Sequence, residues 1–348
     1  MKNSLLLSVL LLGLALACGP RGGGGQASGT SGGTSQGTQN PAAPPAEAPA
    51  ATHSFPKVAV PTVYEGDSDA VVDYVLDHYW DAFLAGKGAT TPESILGIYD
   101  VDVEQALADY IQLLSNVKAA ATPDSLAPLN RARKSVGRFF SNIEALQQKD
   151  TSSNTYLRLT EMVSHYLYDP NSPLRDEDLY LPFVQKMAAS PLTKEDMRTA
   201  YRYEAQMCAL NPRGSVAPDF VMTLRGGTQV RMHSVRAERT LLFFSNPGCH
   251  NCKEIIDALQ ADGNVLNLIR EGRLAVLNIY IDEDLDAWRS YMPIYPKEWL
   301  NGYDAAHILR QDVLYNIRAI PSLYLLDAEK RILLKDAPLE RVQEALIF

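Results

Sequence analysis

Thr240-Leu241-Leu242-Phe243-Phe244-Ser245-Asn246-Pro247-Gly248-Cys249-His250-Asn251-Cys252-Lys253-Glu254-Ile255-Ile256 is the stretch that decides the fold. Its first five residues are a continuous apolar run, the mark of a central parallel strand buried on both faces. A turn with Pro247 and Gly248 follows, and then two cysteines open an amphipathic helix. A C-x-x-C alone is a weak signal. Between a buried strand and a helix, in an exported chain, it becomes specific. Cysteines at i and i+3 of a first helical turn share one face and stand close enough to form a disulfide. Unsatisfied backbone N–H groups point outward at Cys249 and stabilise a thiolate there. A thiolate is the species that attacks a disulfide, and the second thiol, Cys252, resolves the mixed disulfide.

Outward from this stretch the pattern stays α/β. Upstream, Asp219–Leu224 and Thr228–Met232 flank Gly226-Gly227 and read as a β-hairpin. Downstream lie two more apolar runs, Leu274–Ile281 and Ser322–Asp327, and a terminal helix from Glu340 to Ile347. Strands 240–244 and 274–281 are expected to be parallel neighbours or near-neighbours, ending on the edge where sites form in open α/β sheets. The connection from Asp282 to Tyr315 carries Trp288, Tyr291, Tyr295, Trp299 and Tyr303, a density above the 8% aromatic content of the chain. These rings either pack an insertion onto the sheet or line a groove beside Cys249 and Pro321.

Phe243–Lys253 resembles the active-site segment of the thioredoxin superfamily, and Ala319-Ile320-Pro321-Ser322-Leu323-Tyr324-Leu325-Leu326-Asp327 resembles its cis-proline loop and following strand. Ala217-Pro218-Asp219-Phe220 and the glycine hairpin are similar to the TlpA-like branch of exported thiol–disulfide oxidoreductases. The resemblance covers about residues 215–348 and implies an α/β thioredoxin-like domain there. It also implies a cis Pro321 facing the cysteine pair, with the backbone of Ile320 pairing with a substrate strand. No cofactor is expected beyond the Cys249–Cys252 disulfide, and no metal. The expected partners are envelope protein thiols and disulfides and an electron-exchanging protein. Three departures from the family stand out. Gly248 replaces the usual tryptophan, His250-Asn251 replaces Gly-Pro and is expected to tune the redox pair, and Phe243 occupies the place of a buried acid.

Residues 62–211 read as an all-helical domain. Apolar residues recur at helical spacing in Val71–Leu84, Ala106–Val117, Val136–Leu146 and Tyr156–Leu167, and a further helix starts at Thr193 and runs to about Leu210. Pro92, Pro123, Pro170, Pro173 and Pro191 mark the joints of about five or six helices. The domain resembles, by architecture alone, the uncharacterised domain that precedes such modules in some Gram-negative lipoproteins. His78 and His165 stand alone, and Cys208 reads as a small buried hydrophobe or a redox partner of the distant pair.

Residues 1–17 read as a signal peptide: Lys2 precedes the apolar run Leu5–Ala17, which is too short for the roughly 20 residues of a membrane span. Ala15-Leu16-Ala17-Cys18 resembles a lipobox, so Cys18 is the expected lipid attachment site. Residues 18–61, rich in Gly, Ser, Thr, Ala and Pro, are expected to form a disordered tether. The expected location is the bacterial envelope, lipid-anchored and facing the periplasm. A formal charge of −9 and a pI near 5.2 exclude a general nucleic-acid binder. Two other function classes remain open. One is a copper or zinc module built on Cys249, Cys252 and His250 or His307; the other is a thioredoxin-fold scaffold without catalysis.

Overall fold

The computed structural model describes residues 51–347. The signal peptide, Cys18 and the first part of the expected tether lie outside them. The last part of that tether is structured. The Thr52 amide donates to the Gly97 carbonyl at 2.9 Å, and the Thr52 carbonyl accepts from the Tyr99 amide at 3.2 Å. Phe55 stacks on Phe83 with ring centroids 5.1 Å apart. One aromatic residue and one backbone bridge hold a stretch whose Ala/Pro composition reads as coil, and the folded chain starts about ten residues earlier than the expected 62.

The helical part comprises α1 (Ser68–His78), α2 (Asp81–Leu84), a short hairpin of β1 (Ser94–Ile95) and β2 (Ile98–Tyr99), then α3 (Asp100–Ala119), α4 (Ala127–Lys149), α5 (Thr155–Tyr168), α6 (Glu177–Ala189) and α7 (Glu195–Ala209). Asp67 caps α1 by accepting from the amides of Asp69 and Ala70, the side chain meeting donors that a helix start leaves free. Aromatic rings fill the core, with Trp80 stacked on Phe139 at 4.2 Å. The apolar runs above leave α6 unmarked, although it packs against α4, α5 and α7 and buries Leu179, Tyr180, Phe183, Val184 and Met187. Pro182 lies inside it. A proline removes the amide that would bond four residues back. Here the freed Asp178 carbonyl accepts from Arg133 Nε at 2.9 Å instead.

The C-terminal part comprises β3 (Val221–Leu224), β4 (Gln229–Arg231), β5 (Arg239–Phe244), α8 (His250–Ala261), α9 (Gly263–Arg270), β6 (Leu274–Tyr280), α10 (Leu285–Tyr291), β7 (Leu300–Tyr303), α11 (Ile308–Gln311), β8 (Ser322–Leu326), β9 (Ile332–Leu334) and α12 (Leu339–Ala345). Among the described residues these strands form one seven-stranded sheet in the order β4-β3-β7-β6-β5-β8-β9. β5 and β6 are parallel neighbours, with Thr240 opposite Ala275 and Phe244 opposite Ile279, as their apolar runs predict. β8 lies antiparallel on the other side of β5, placing Ser322 opposite Phe244. The fold is therefore α/β and thioredoxin-like, preceded by an all-α part carrying one minor hairpin. β7 has no sequence signal: Leu-Asn-Gly-Tyr has no apolar alternation. It fits between β6 and β3 because Gly302 lacks a Cβ, which would approach the Thr223 carbonyl oxygen to 3.1 Å.

Alternate residues of β5 serve two cores. Leu241 and Phe243 pack with Cys252, Ile256 and Trp288, while Leu242 and Phe244 pack with Phe220, Leu309 and Tyr315. The passage between the helical and α/β parts is tied down rather than loose. Asn211 Nδ2 donates to the Leu314 carbonyl at 2.7 Å, and Arg213 Nη2 to the Ala121 carbonyl at 2.9 Å. Backbone bonds of 2.8 Å join Gly214 and Ser215 to Ile332, and Ala217 to Lys330. Both parts belong to one compact unit.

Candidate redox site

β5 delivers the chain into the turn Ser245–Gly248, where Gly248 takes φ +72°, a conformation that L side chains rarely adopt. A tryptophan at that position would be strained, which gives the family departure a local reason. Cys249 is the N-cap of α8, and its Sγ accepts from the Cys252 amide at 3.2 Å. Cys249 is half-buried, whereas Cys252 is 2% exposed. Burial pushes the Cys252 thiol up from its ordinary range, and its hydrogen bond with Cys249 adds to the effect. The Ile320–Pro321 bond is cis, and the Ile320 carbonyl oxygen lies 4.0 Å from Cys249 Sγ. Four of the residues singled out from sequence, Cys249, Cys252, Ile320 and Pro321, thus meet at one place.

His250 and Asn251 are both exposed. His250 Nε2 lies 3.2 Å from Glu254 Oε1, one turn along the outer face of α8. Any tuning by His250 therefore acts from the solvent side, with a carboxylate beside it. A metal centre on the two cysteines finds no third ligand: no cluster of three or more His, Cys, Asp or Glu suited to a metal exists among the described residues. Cys208 belongs to the core of the helical part, fully buried, and burial pushes its thiol up as well. That is the small-hydrophobe role.

A buried polar row crosses the sheet on the face that carries α8. Ser245 Oγ donates to Asn278 Oδ1, Asn278 Nδ2 donates to Asn301 Oδ1 at 2.9 Å, and Asn301 Nδ2 donates to the Pro296 carbonyl at 2.7 Å. Tyr295, 3% exposed, belongs to the same apolar cluster as Cys252, and its hydroxyl lies against Ser245 and Asn278 of this polar row. Of the five rings in the 282–315 connection, Trp288, Tyr295 and Trp299 are buried in that cluster. None of the five lines the groove beside the cis-proline loop. The packing reading holds for the three buried rings.

That groove, about 350 Å³, is built, apart from Ile320, by residues that sequence reasoning missed. Tyr168, Tyr203 and Met207 of the helical part face Val313, Ile317 and Ile320. Beneath it, Glu177 at the start of α6 takes Asn316 Nδ2 at 2.6 Å and forms ion pairs with Arg318 at 3.0 Å and Lys335 at 3.3 Å. Arg318 also reaches Asp336 at 2.7 Å, and Asp336 accepts from Ser322 Oγ at 2.8 Å. The i, i+3, i+4 spacing of Leu179, Tyr180, Phe183, Val184 and Met187 was the available signal for α6. A second cavity of about 230 Å³, lined by Lys118, Asp178 and Arg213 among others, shares no residue with the cysteine pair or the cis-proline loop.

A family model described as a domain of unknown function (DUF5106) matches residues 31–211, just over half of the chain. Among solved structures, a thioredoxin-like protein from Bacteroides caccae is 34% identical, with a TM-score of 0.68, over 84% of this chain and 98% of its own. The C-terminal domain of an uncharacterized protein from Bacteroides fragilis is 43% identical over 40% of this chain and 99% of its own, with a TM-score of 0.39. No curated protein matches.

Proposed function

The chain belongs to the thioredoxin-like proteins that carry a DUF5106 domain, and on that premise we propose that it is a thiol–disulfide oxidoreductase of the bacterial envelope. The observation that carries this reading is the half-buried Cys249 at a helix N-terminus, with Cys252 one turn inside and the cis Ile320–Pro321 bond opposite.

The exchange balances without a cofactor. The Cys249 thiolate attacks one sulfur of a substrate disulfide, and the other substrate sulfur leaves with the bonding electron pair and takes up a proton. Cys252 then loses its proton and attacks Cys249 Sγ. The substrate's remaining sulfur departs as a thiolate and is protonated in turn. Two electrons have passed to the substrate, and the chain holds a Cys249–Cys252 disulfide that a partner dithiol must reduce. Run backwards, the same steps oxidise a substrate. Lipid on Cys18 would tether the module to the membrane with the site facing the periplasm.

The test is trapping. Cys252→Ser should accumulate mixed disulfides with a disulfide-bonded protein such as insulin, and Cys249→Ser should not. Equal trapping by both variants would remove the assignment of roles, and trapping by neither would remove the activity.

A further inference from the structure

The groove beside the cis-proline loop has two walls from distant parts of the chain. Tyr203 and Met207 on α7, with Tyr168 at the end of α5, form one; Val313, Ile317 and Ile320 form the other. Tyr203 is 60% exposed and Val313 41% exposed, so two large apolar groups stand uncovered across the opening. Ile320 belongs both to the groove and to the redox site, since its carbonyl oxygen faces Cys249 Sγ. The groove thus ends one residue from Pro321, at the residue whose carbonyl oxygen lies 4.0 Å from Cys249 Sγ.

The two walls are held in register. Glu177, from the helical part, grips Asn316, Arg318 and Lys335, and Arg318 donates to the Tyr168 carbonyl while its guanidinium lies 4.2 Å above the Tyr168 ring. The loop that leads into Pro321 is thus pinned to the helical wall by charges buried under the groove. A wall fixed beforehand saves the ordering cost that a mobile one would impose on each binding event.

We propose that the helical domain is one half of the substrate site: the groove takes an extended polypeptide segment of a substrate protein, with its cysteine at Cys249 and an apolar side chain between Tyr203 and Val313. This rests on the redox reading of Cys249. A polypeptide is favoured over a small thiol by the uncovered apolar pair, which a compact polar disulfide has no group to cover. It is also favoured by the run from Val313 to Ile320, which offers a path along the loop to the reacting sulfur. The rim charges Arg310 and Asp282 pair with each other and leave the opening without a strong preference for sign.

The full-length chain with Tyr203→Ala, and separately with Val313→Asn, tests this. Asparagine is chosen because residue 313 has φ +48°, which it tolerates. Each variant is assayed for exchange with glutathione disulfide and with a peptide disulfide whose cysteine is flanked by leucine and phenylalanine. The ratio of the peptide rate to the glutathione rate should fall about tenfold in each variant, through KM, the loss expected for one uncovered apolar contact. A ratio within twofold of the unsubstituted chain in both variants would overturn the groove. An unsubstituted chain that exchanges with neither probe would overturn the redox reading and this proposal with it.

Discussion

Glu177 is held between two opposing effects, and its protonation is measurable. It is 2% exposed, and burial pushes its carboxyl up to about 7 despite the attraction of Lys335 and Arg318. In the unfolded chain the ordinary value is 4.5. The folded state therefore holds this proton more tightly between those two values. Its contribution to stability is complete below pH 4.5 and is lost as pH rises through about 7. Glu177→Gln has the shape of the protonated acid at every pH, so it lacks this loss. From pH 5 to pH 8 the wild-type chain should lose roughly 2–3 kcal/mol relative to the variant. Groups common to both chains cancel in the difference. By the usual scaling the gap amounts to roughly 5–10 °C in Tm. Urea unfolding of both chains at pH 5, 6, 7 and 8, with the cysteines reduced, measures it. A stability difference that stays flat across the series would refute the reasoning, because it would mean that the two cations outweigh burial and keep Glu177 ionised throughout.

Two further outcomes are expected. Tyr295→Phe removes a buried hydroxyl that lies against Ser245 and Asn278, so the variant should lose about 1 kcal/mol in urea unfolding; a variant as stable as the wild-type chain would show that the hydroxyl makes no useful hydrogen bond. Cys18→Ser should move the protein from the membrane fraction to the soluble one or leave it unprocessed, and a processed variant that still sediments with membranes would point to another anchor.

The placement of Cys249 and Cys252 at a helix start was legible because its determinants are local. A buried strand, a turn and an i, i+3 cysteine pair lie within seventeen consecutive residues, and β5, α8 and the parallel partner β6 follow from apolar runs alone. The cis bond at Pro321 came from family resemblance, since nothing in the neighbouring residues distinguishes that proline from the other twenty. The groove was illegible for a different reason: Tyr203 and Ile320 meet only after the helical part has docked, and no local pattern records that. α6 fell between these cases. Its apolar spacing was present, but Pro182 lies within it, and the compensation by Arg133 on the Asp178 carbonyl is a long-range contact. With α6 unread, Glu177 had no reason to be noticed, and the link between the helical part and the cis-proline loop went with it.

The order of events at the cysteine pair follows from an asymmetry across one helical turn. Cys249 has the accessible sulfur, and the donor aimed at it, the Cys252 amide, belongs to the backbone and is present whichever way the reaction runs. Cys252 is buried with Phe243, Tyr295 and Trp299, where forming a thiolate is opposed by desolvation. A buried carboxylate at position 243 would relieve this by accepting the proton, but a phenylalanine cannot. The Asn246 backbone hydrogen-bonds the Cys252 thiol and favours its thiolate, but burial outweighs it, and Ser245, Asn278 and Asn301 are spent on one another and end on the Pro296 carbonyl. On the proposed exchange, resolution would therefore wait on the proton of Cys252. A mixed disulfide at Cys249 should be long-lived at low pH and resolve faster as pH rises. On the proposed exchange, a chain built this way would keep hold of its substrate after the first attack, and a groove beside the attacking sulfur would be of most use while the covalent intermediate persists.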